Sequence, residues 1–296
     1  MSTLLTCTSS TRPGSPAAGD TLFETDTNKV IVYSGTAWKE YQDNAQLYDD
    51  SDITALSPHI WLDGAGGYFY DDHVKSNLVS LTNSRVGTWA DRSGNGFDFV
   101  NSSGSGRPKI VNDLGLYNNT FLNYDSDVLI FTGTTSSEIA ASPSTLFFVG
   151  QIYPQTSDRI ILSSDQSLSL LTIVNGTDLK IAVDDLGSPN IGSTSYAITD
   201  AGIGLGQNMF IYALRVGTSL VESFVNGSAS SDTETSIPSG TIFNDGVNYE
   251  MFDNTMNESP NFLGEFMVFD SALSDSNMNT VFSYLSKKYG VSVSTL

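Results

Sequence analysis

The hexapeptide Tyr68-Phe69-Tyr70-Asp71-Asp72-His73 sets aromatic rings directly beside carboxylates. Residues of these types can hold a sugar, because a ring stacks on the apolar side of a pyranose while carboxylates accept hydrogen bonds from its hydroxyls. Tyr68, Tyr70, Asp71 and Asp72 are therefore the candidate carbohydrate-binding residues. The alternation of Tyr68 and Tyr70 also describes a strand with one face buried, and both readings stand at this point. Asp184-Asp185, after the strand-like DLKIAV, is a second loop-end carboxylate pair without an aromatic beside it.

A second oxygen-rich set is Asp91, Ser93 and Asn95 ahead of Gly96, which alternate as the ligands of a calcium loop do. An EF-hand loop needs a bidentate carboxylate at its twelfth position, and Ser102 occupies it here, so the calcium reading fails on its strongest ligand. Trp89 then reads as core and the following turn as structural. Catalytic material is scarce. His59 and His73 are the only histidines, and no Gly-x-Ser-x-Gly stands in a nucleophile-elbow context. Gly202-Ile203-Gly204-Leu205-Gly206 follows no βαβ pattern that would make it a phosphate cradle. No catalytic residue and no metal ligand is assigned, and the chain reads as a non-enzyme.

Thirteen basic residues against 33 acidic ones give a formal charge of −20. Phosphate binding needs clustered Lys and Arg, so nucleic acid is excluded as a partner, and anionic membrane surfaces are disfavoured for the same reason. The strongest acidic group is only Asp49, Asp50 and Asp52; scarcity of Lys and Arg rather than an acidic tail makes the charge. Cys7 is the sole cysteine, which rules out an intrachain disulfide and a cysteine-rich zinc site. Leu4-Leu5-Thr6-Cys7 resembles a lipoprotein cleavage site but lacks a basic segment and an apolar stretch before it. No run approaches the ~18 apolar residues of a membrane span.

The elements that must position these residues are almost all strands. TLFE (21–24), KVIVYS (29–34) and AWKEY (37–41) predict a three-stranded meander, divided by Asp26-Thr27-Asn28 and Gly35-Thr36. Residues 42–57 turn polar and acidic. Beyond them, strand-like runs at 145–152, 159–163, 168–174, 178–183, 209–216, 219–225 and 262–269 are separated by Gly, Asn, Asp and Ser, with Asn175-Gly176 as a hairpin signal. Many short strands without intervening helices predict a two-sheet sandwich. One amphipathic helix closes the chain: Ser274 caps it, Met278, Val281, Phe282, Leu285 and Tyr289 repeat at helical spacing, and Gly290 ends it.

Two resemblances follow from quoted motifs. Arg12-Pro13, Pro16-Ala17-Ala18-Gly19-Asp20, Asn28 to Tyr33 and Gly35-Thr36-Ala37-Trp38 together look like a short module of tail-fibre and accessory virion proteins of bacteriophages, notably those of marine cyanobacteria; the match spans about a tenth of the chain. Ile60-Trp61-Leu62-Asp63, Thr88 to Gly96, Phe224-Val225-Asn226-Gly227 and Phe262-Leu263-Gly264-Glu265-Phe266, with Ala272-Leu273-Ser274 through Lys288-Tyr289-Gly290, look like the concanavalin A-like, laminin G-like jelly rolls of bacterial surface and phage proteins. That fold hosts lectins, glycosidases and structural modules alike. Its glycosidases carry a strand-borne E-x-D-x-x-E; Glu24-Thr25-Asp26 begins the pattern, but Lys29 holds its last position and nothing in the jelly roll matches. Domains of this resemblance sometimes hold calcium elsewhere through Asp side chains.

The expected organisation is an all-β chain: an N-terminal arm and meander over 1–45, a linker over 46–57 and a concanavalin A-like jelly roll with its C-terminal helix over 58–296. Phe23, Val32, Tyr33 and Trp38 are the expected attachment or oligomerisation residues of the meander. The resemblances imply a virion protein, a capsid decoration, head fibre or tail-fibre component, that is homotrimeric, contacts other virion proteins and displays a lectin-like domain toward host-surface glycans. The alternatives are a secreted or surface carbohydrate-binding protein of bacteria and, third, a glycosidase.

Overall fold

Short runs of β-branched and aromatic residues, cut every few positions by Gly, Asn, Asp or Ser, favour paired strands over helices throughout this chain. The computed structural model describes residues 5–17, 20–27, 29–33, 36, 38–40, 50–64, 67–72, 74–79, 84–101, 106–112, 120–124, 129–132, 139–140, 143–151, 159–164, 169–174, 179–183, 194–198, 209–234, 241–243, 248–251 and 261–296. It separates into two compact units, residues 1–48 and 49–296.

The first unit is a four-stranded sheet in the order β1 (Leu5–Cys7), β2 (Thr21–Glu24), β3 (Lys29–Tyr33), β4 (Trp38–Glu40). The last three form the antiparallel meander expected from the sequence. β1 is an addition, pairing parallel to β2 with Leu5 opposite Leu22. Its three residues carry no strand signal alone, because the pairing exists only after the intervening segment folds back. That segment is pinned by side chains: Arg12 donates to Glu24, and Ser9 donates to Asp26 through its amide (2.9 Å) and Oγ (2.6 Å), while Thr27 Oγ1 in the following turn donates to Glu24 Oε2 at 2.9 Å. The Arg12 hydrogen bond holds the Glu24 carboxyl below the usual carboxylate range, and the Ser9 bonds do the same for Asp26. These carboxylates bind the arm to the sheet.

In the second unit, residues expected as linker instead begin the domain: Asp50–Ala55 form helix α1, whose Ile53 is fully buried. The first sheet runs β20 (Ser228–Glu234), β19 (Val221–Val225), β18 (Phe210–Val216), β13 (Ser144–Gln151), β23 (Asn261–Phe269), β10 (Thr120–Tyr124), β9 (Lys109–Asn112), with β5 (Ile60–Leu62) also pairing with β23. The second runs β17 (Thr194–Ile198), β16 (Leu179–Val183), β15 (Ser169–Val174), β14 (Arg159–Ser164), β22 (Asn248–Met251), β11 (Leu129–Thr132), β8 (Phe99–Val100), β7 (Thr88–Trp89), β6 (Phe69–Tyr70). A small pair, β12 (Ile139–Ala140) and β21 (Thr241–Phe243), completes the strands. All pairings in this unit are antiparallel, and the expected strand runs from 145 onward each carry a strand. Asn175-Gly176, Gly202–Gly206, Asp184-Asp185, His73 and Ser102 lie outside the described residues.

Helix α2 (Asp275–Tyr289) follows its sequence signals closely. Ser274 accepts from the Asn277 amide at the N-terminus, and Gly290 adopts φ 68°, the left-handed conformation that glycine takes without a Cβ penalty. Phe282 packs edge-on against Phe147, with ring centroids 5.3 Å apart, and reaches Phe224 at 6.4 Å. Cross-strand register puts Phe147, Met267, Glu265 and Trp61 on this helix-covered face. The opposite face carries Phe148, Tyr212, Phe266 and Leu62, all buried. Burying each such large apolar side chain stabilises the unit by about 1.5–3 kcal/mol, so α2 is held mainly by packing.

Candidate functional site

Beneath α2, the motifs that were separate in sequence meet. Strand β5 delivers Trp61 and, just past its end, Asp63; β23 delivers Glu265; α2 delivers Tyr284, Lys288 and Tyr289. Asp63, Glu265 and Lys288 are each no more than 1% exposed. Lys288 Nζ donates to Asp63 Oδ1, to Tyr284 Oη at 2.9 Å, and reaches Glu265 Oε2 at 2.7 Å. Three acceptors for three ammonium protons is the arrangement a buried lysine charge requires. Trp61 Nε1 donates to Glu265 Oε1 at 2.7 Å, and the Trp89 indole donates to the Asp63 carbonyl at 3.0 Å.

Arg92 extends the network outward. Its guanidinium forks between Asp63 and Asp50, the first residue of α1, and lies 4.1 Å from the Trp61 ring centroid and 5.3 Å from that of Tyr68. Burial opposes the Arg92 charge, but the Asp50 hydrogen bond and the charges of Asp63 and Asp50 hold its pKa above the usual value. Burial, reinforced by the neighbouring carboxylates, pushes the Tyr284 hydroxyl far up, so it stays protonated. Burial also pushes the Glu265 carboxyl up to about 7, against the lowering effect of Lys288. Asp63, Glu265 and Lys288 are closed off from solvent, and the network reaches the surface only through Arg92 and Asp50. Its chemistry is cohesion between β5, β23, α1 and α2.

The Asp91 turn is saturated in the same way. Asp91 Oδ1 accepts from the amides of Trp61 (3.0 Å) and Ser93 (2.9 Å), while Oδ2 accepts from Ser93 Oγ (2.7 Å) and the Phe97 amide (3.1 Å). Asn95 Nδ2 donates to the His59 carbonyl at 2.9 Å, and Ser93 Oγ, whose one proton is shared with Asp91 Oδ2, lies 3.0 Å from the same carbonyl. The oxygens that a calcium ion would need are committed to the chain's own donors. Among the described residues, no group of three or more His, Cys, Asp or Glu is placed to hold a metal.

The sugar-binding candidates divide. Phe69, between the two tyrosines, is the buried residue of β6 and packs on Trp89 at 5.5 Å. Tyr68 and Tyr70 thus occupy the other, half-exposed side. One face of Tyr68 is taken by Arg92, and burial raises its hydroxyl pKa. Asp72 is turned inward on its own loop, accepting from the Ser76 amide at 3.0 Å and from Ser76 Oγ. Asp71 has an exposed side chain, while its carbonyl accepts from Arg107. Tyr70 and Asp71 therefore remain outward, beside the exposed Val74 and Leu78. Sequence reasoning missed Arg92 and Arg107 as neighbours of this loop; the Arg92 signal was its place within the Thr88–Gly96 motif.

The expected attachment set in the first unit is split by register. Leu22 lies opposite Ile31 and Tyr33 opposite Trp38, which puts Tyr33 and Trp38 on the face of the buried Leu22, Glu24 and Ile31. Phe23 and Val32 fall on the other face. All four are half-buried, and Tyr33 and Trp38 form a ring pair at 5.3 Å. They do not compose one continuous surface.

No protein-family model matches this chain, and no curated protein matches it in sequence. Solved structures do share its fold. The receptor binding domain of botulinum neurotoxin D superposes with a TM-score of 0.53 at 14% identity, covering 77% of this chain and 53% of that one. The binding domain of Paraclostridial Mosquitocidal Protein 1 gives 0.53 at 14% identity, covering 77% and 52%. The botulinum neurotoxin serotype D binding domain gives 0.51 at 14%, covering 77% and 50%. At such identities the likeness establishes a shared β-rich fold, and this chain spans about half the length of the chains it matches.

Proposed function

We propose that this protein is a non-enzymatic adhesin of a bacteriophage particle, in which the β-sandwich unit binds glycans and the N-terminal unit attaches it to other virion proteins as a trimer. One observation carries the glycan-binding part: where acidic and aromatic residues meet, Asp63, Asp91, Glu265 and Asp72 are tied to internal donors, whereas Tyr70 and Asp71 stand outward at the end of β6. Among the described residues, that leaves an outward ring and an outward carboxylate for a sugar. The likeness to domains described as receptor binding supports the same reading. The virion part rests on the resemblance of residues 12–38 to phage fibre and accessory modules.

A glycan array probed with the full chain tests the binding arm. Binding that Tyr70→Ala and Asp71→Asn each reduce at least tenfold is the expected result; binding untouched by both variants removes the assignment to β6. Light scattering of the full chain and of residues 49–296 tests the attachment arm. A trimer that becomes monomeric without residues 1–48 supports it. The truncation starts at Asp49 because a start at Pro58 would remove α1 and the Asp50–Arg92 pair.

A further inference from the structure

Acidic residues outnumber basic ones 33 to 13 in this chain, so a cation readily finds an acid. Arg12, Lys75, Arg92, Arg215 and Lys288 each pair with one. Arg107 and Lys109 are different, since among the described residues neither meets a carboxylate, and they adjoin a third cation. Arg85 lies directly opposite Lys109 in an antiparallel bridge. The flanking hydrogen bonds, from the Val86 amide to the Pro108 carbonyl (2.8 Å) and from the Ile110 amide to the Ser84 carbonyl (2.9 Å), mark a non-hydrogen-bonded pair. In such pairs the side chains come closest.

Val86, Pro108 and Ile110 are buried, so strand alternation turns Arg85, Arg107 and Lys109 outward together. Like charges set directly opposite each other are destabilising. The neighbour of Lys109 on its other side, Asn123 of β10, is uncharged. An anion seated here would relieve the repulsion.

Arg107 is positioned by backbone rather than by an acid. Its Nε donates to the Asn101 carbonyl at 2.9 Å and its Nη1 to the Asp71 carbonyl, while Arg85 Nη1 donates to the Arg107 carbonyl at 3.0 Å. Carbonyls orient a guanidinium without neutralising it, and the rest of its donor fork stays available. The bond to Asp71 also places these cations at the end of β6, beside the outward Tyr70 and the exposed Asp71 side chain.

We propose that Arg85, Arg107 and Lys109 bind the acid group, a carboxylate or a sulfate, of a glycan whose ring and hydroxyls meet Tyr70 and Asp71. This rests on the glycan-binding reading of β6 and names its ligand class. A long polyanion is the poorer fit, because a chain of formal charge −20 repels it everywhere outside this patch. One acid group on an otherwise neutral sugar meets only the cations.

The test is an array of matched glycan pairs that differ only in a uronate carboxylate or in a sulfate, probed with the full chain, with duplex DNA titrated alongside. The acidic member of a pair should bind about tenfold more tightly than the neutral one, the worth of a charge-assisted hydrogen bond. Uronate and sulfate pairs tell the two acid groups apart. Arg85→Ala and Lys109→Ala, both surface changes, should each remove most of that advantage and leave binding of the neutral member unchanged. Arg85→Glu should remove it while raising the thermal midpoint, because opposite charges then face each other across the bridge. Equal binding of acidic and neutral members overturns this inference and leaves the β6 reading standing. An acid advantage that survives all three variants overturns it as well, as does DNA bound as tightly as the sulfated glycans. Binding of no glycan at all removes both readings.

Discussion

Two places in the second unit join aromatics to carboxylates, the cluster under α2 and the end of β6, and they differ in how many donors each carboxylate meets. Glu265 meets three: the Trp61 indole, the Lys288 ammonium and the Tyr289 hydroxyl. The Asp71 side chain stands exposed. Residue type is therefore a poor guide to role here. Saturation and burial convert one acid–aromatic set into architecture and leave the other exposed. Tyr68 borders both, with Arg92 over its ring and a half-exposed place just before β6.

The comparison breaks most sharply at Asp63. Asp63→Ala leaves Lys288 and Arg92 buried without their shared carboxylate, and chemical denaturation should register a loss of about 3–5 kcal/mol. Gly64→Ala should cost about 3 kcal/mol, since the new Cβ meets backbone at Gly264 that cannot swing aside; an effect below about 1 kcal/mol would mean that β23 yields there. Asp91→Ala removes the acceptor of four hydrogen bonds and should cost about 2 kcal/mol in the same assay. Asp71→Asn should leave stability within about 0.5 kcal/mol while weakening glycan binding, a dissociation of effects absent from the cluster. Smallest of all, Lys75→Ala removes the surface pair with Asp98 and should change stability by less than about 1 kcal/mol, less again in high salt.

Most strands and the C-terminal helix were legible because their signals are local. Ser274, the apolar spacing from Met278 to Tyr289, and Gly290 all belong to one helix, and each cap acts within a turn of its own end. β1 and α1 were not legible. Leu5–Cys7 depends on a partner beginning at Thr21, and α1 contributes one fully buried residue, Ile53, in a stretch whose Asp49, Asp50 and Asp52 read as a polar linker. The exposure pattern of β6 was legible from the alternation of Tyr68, Phe69 and Tyr70, with Phe69 taking the buried face, but the turning of Asp72 onto its own loop was not, because it depends on Ser76.

The sequence by itself determined the class of this protein, because alternation, turn residues and caps constrain the backbone over a few residues at a time. It also determined that no intrachain disulfide can form, since one cysteine has no partner within the chain. Which carboxylates are spent and which are free was decided only by the tertiary structure. Asp63 and Lys288 lie 225 positions apart and Trp61 and Glu265 lie 204 apart. Their pairing is a property of sheets and helix brought into contact, where burial sets both the cost of a charge and the value of its partner.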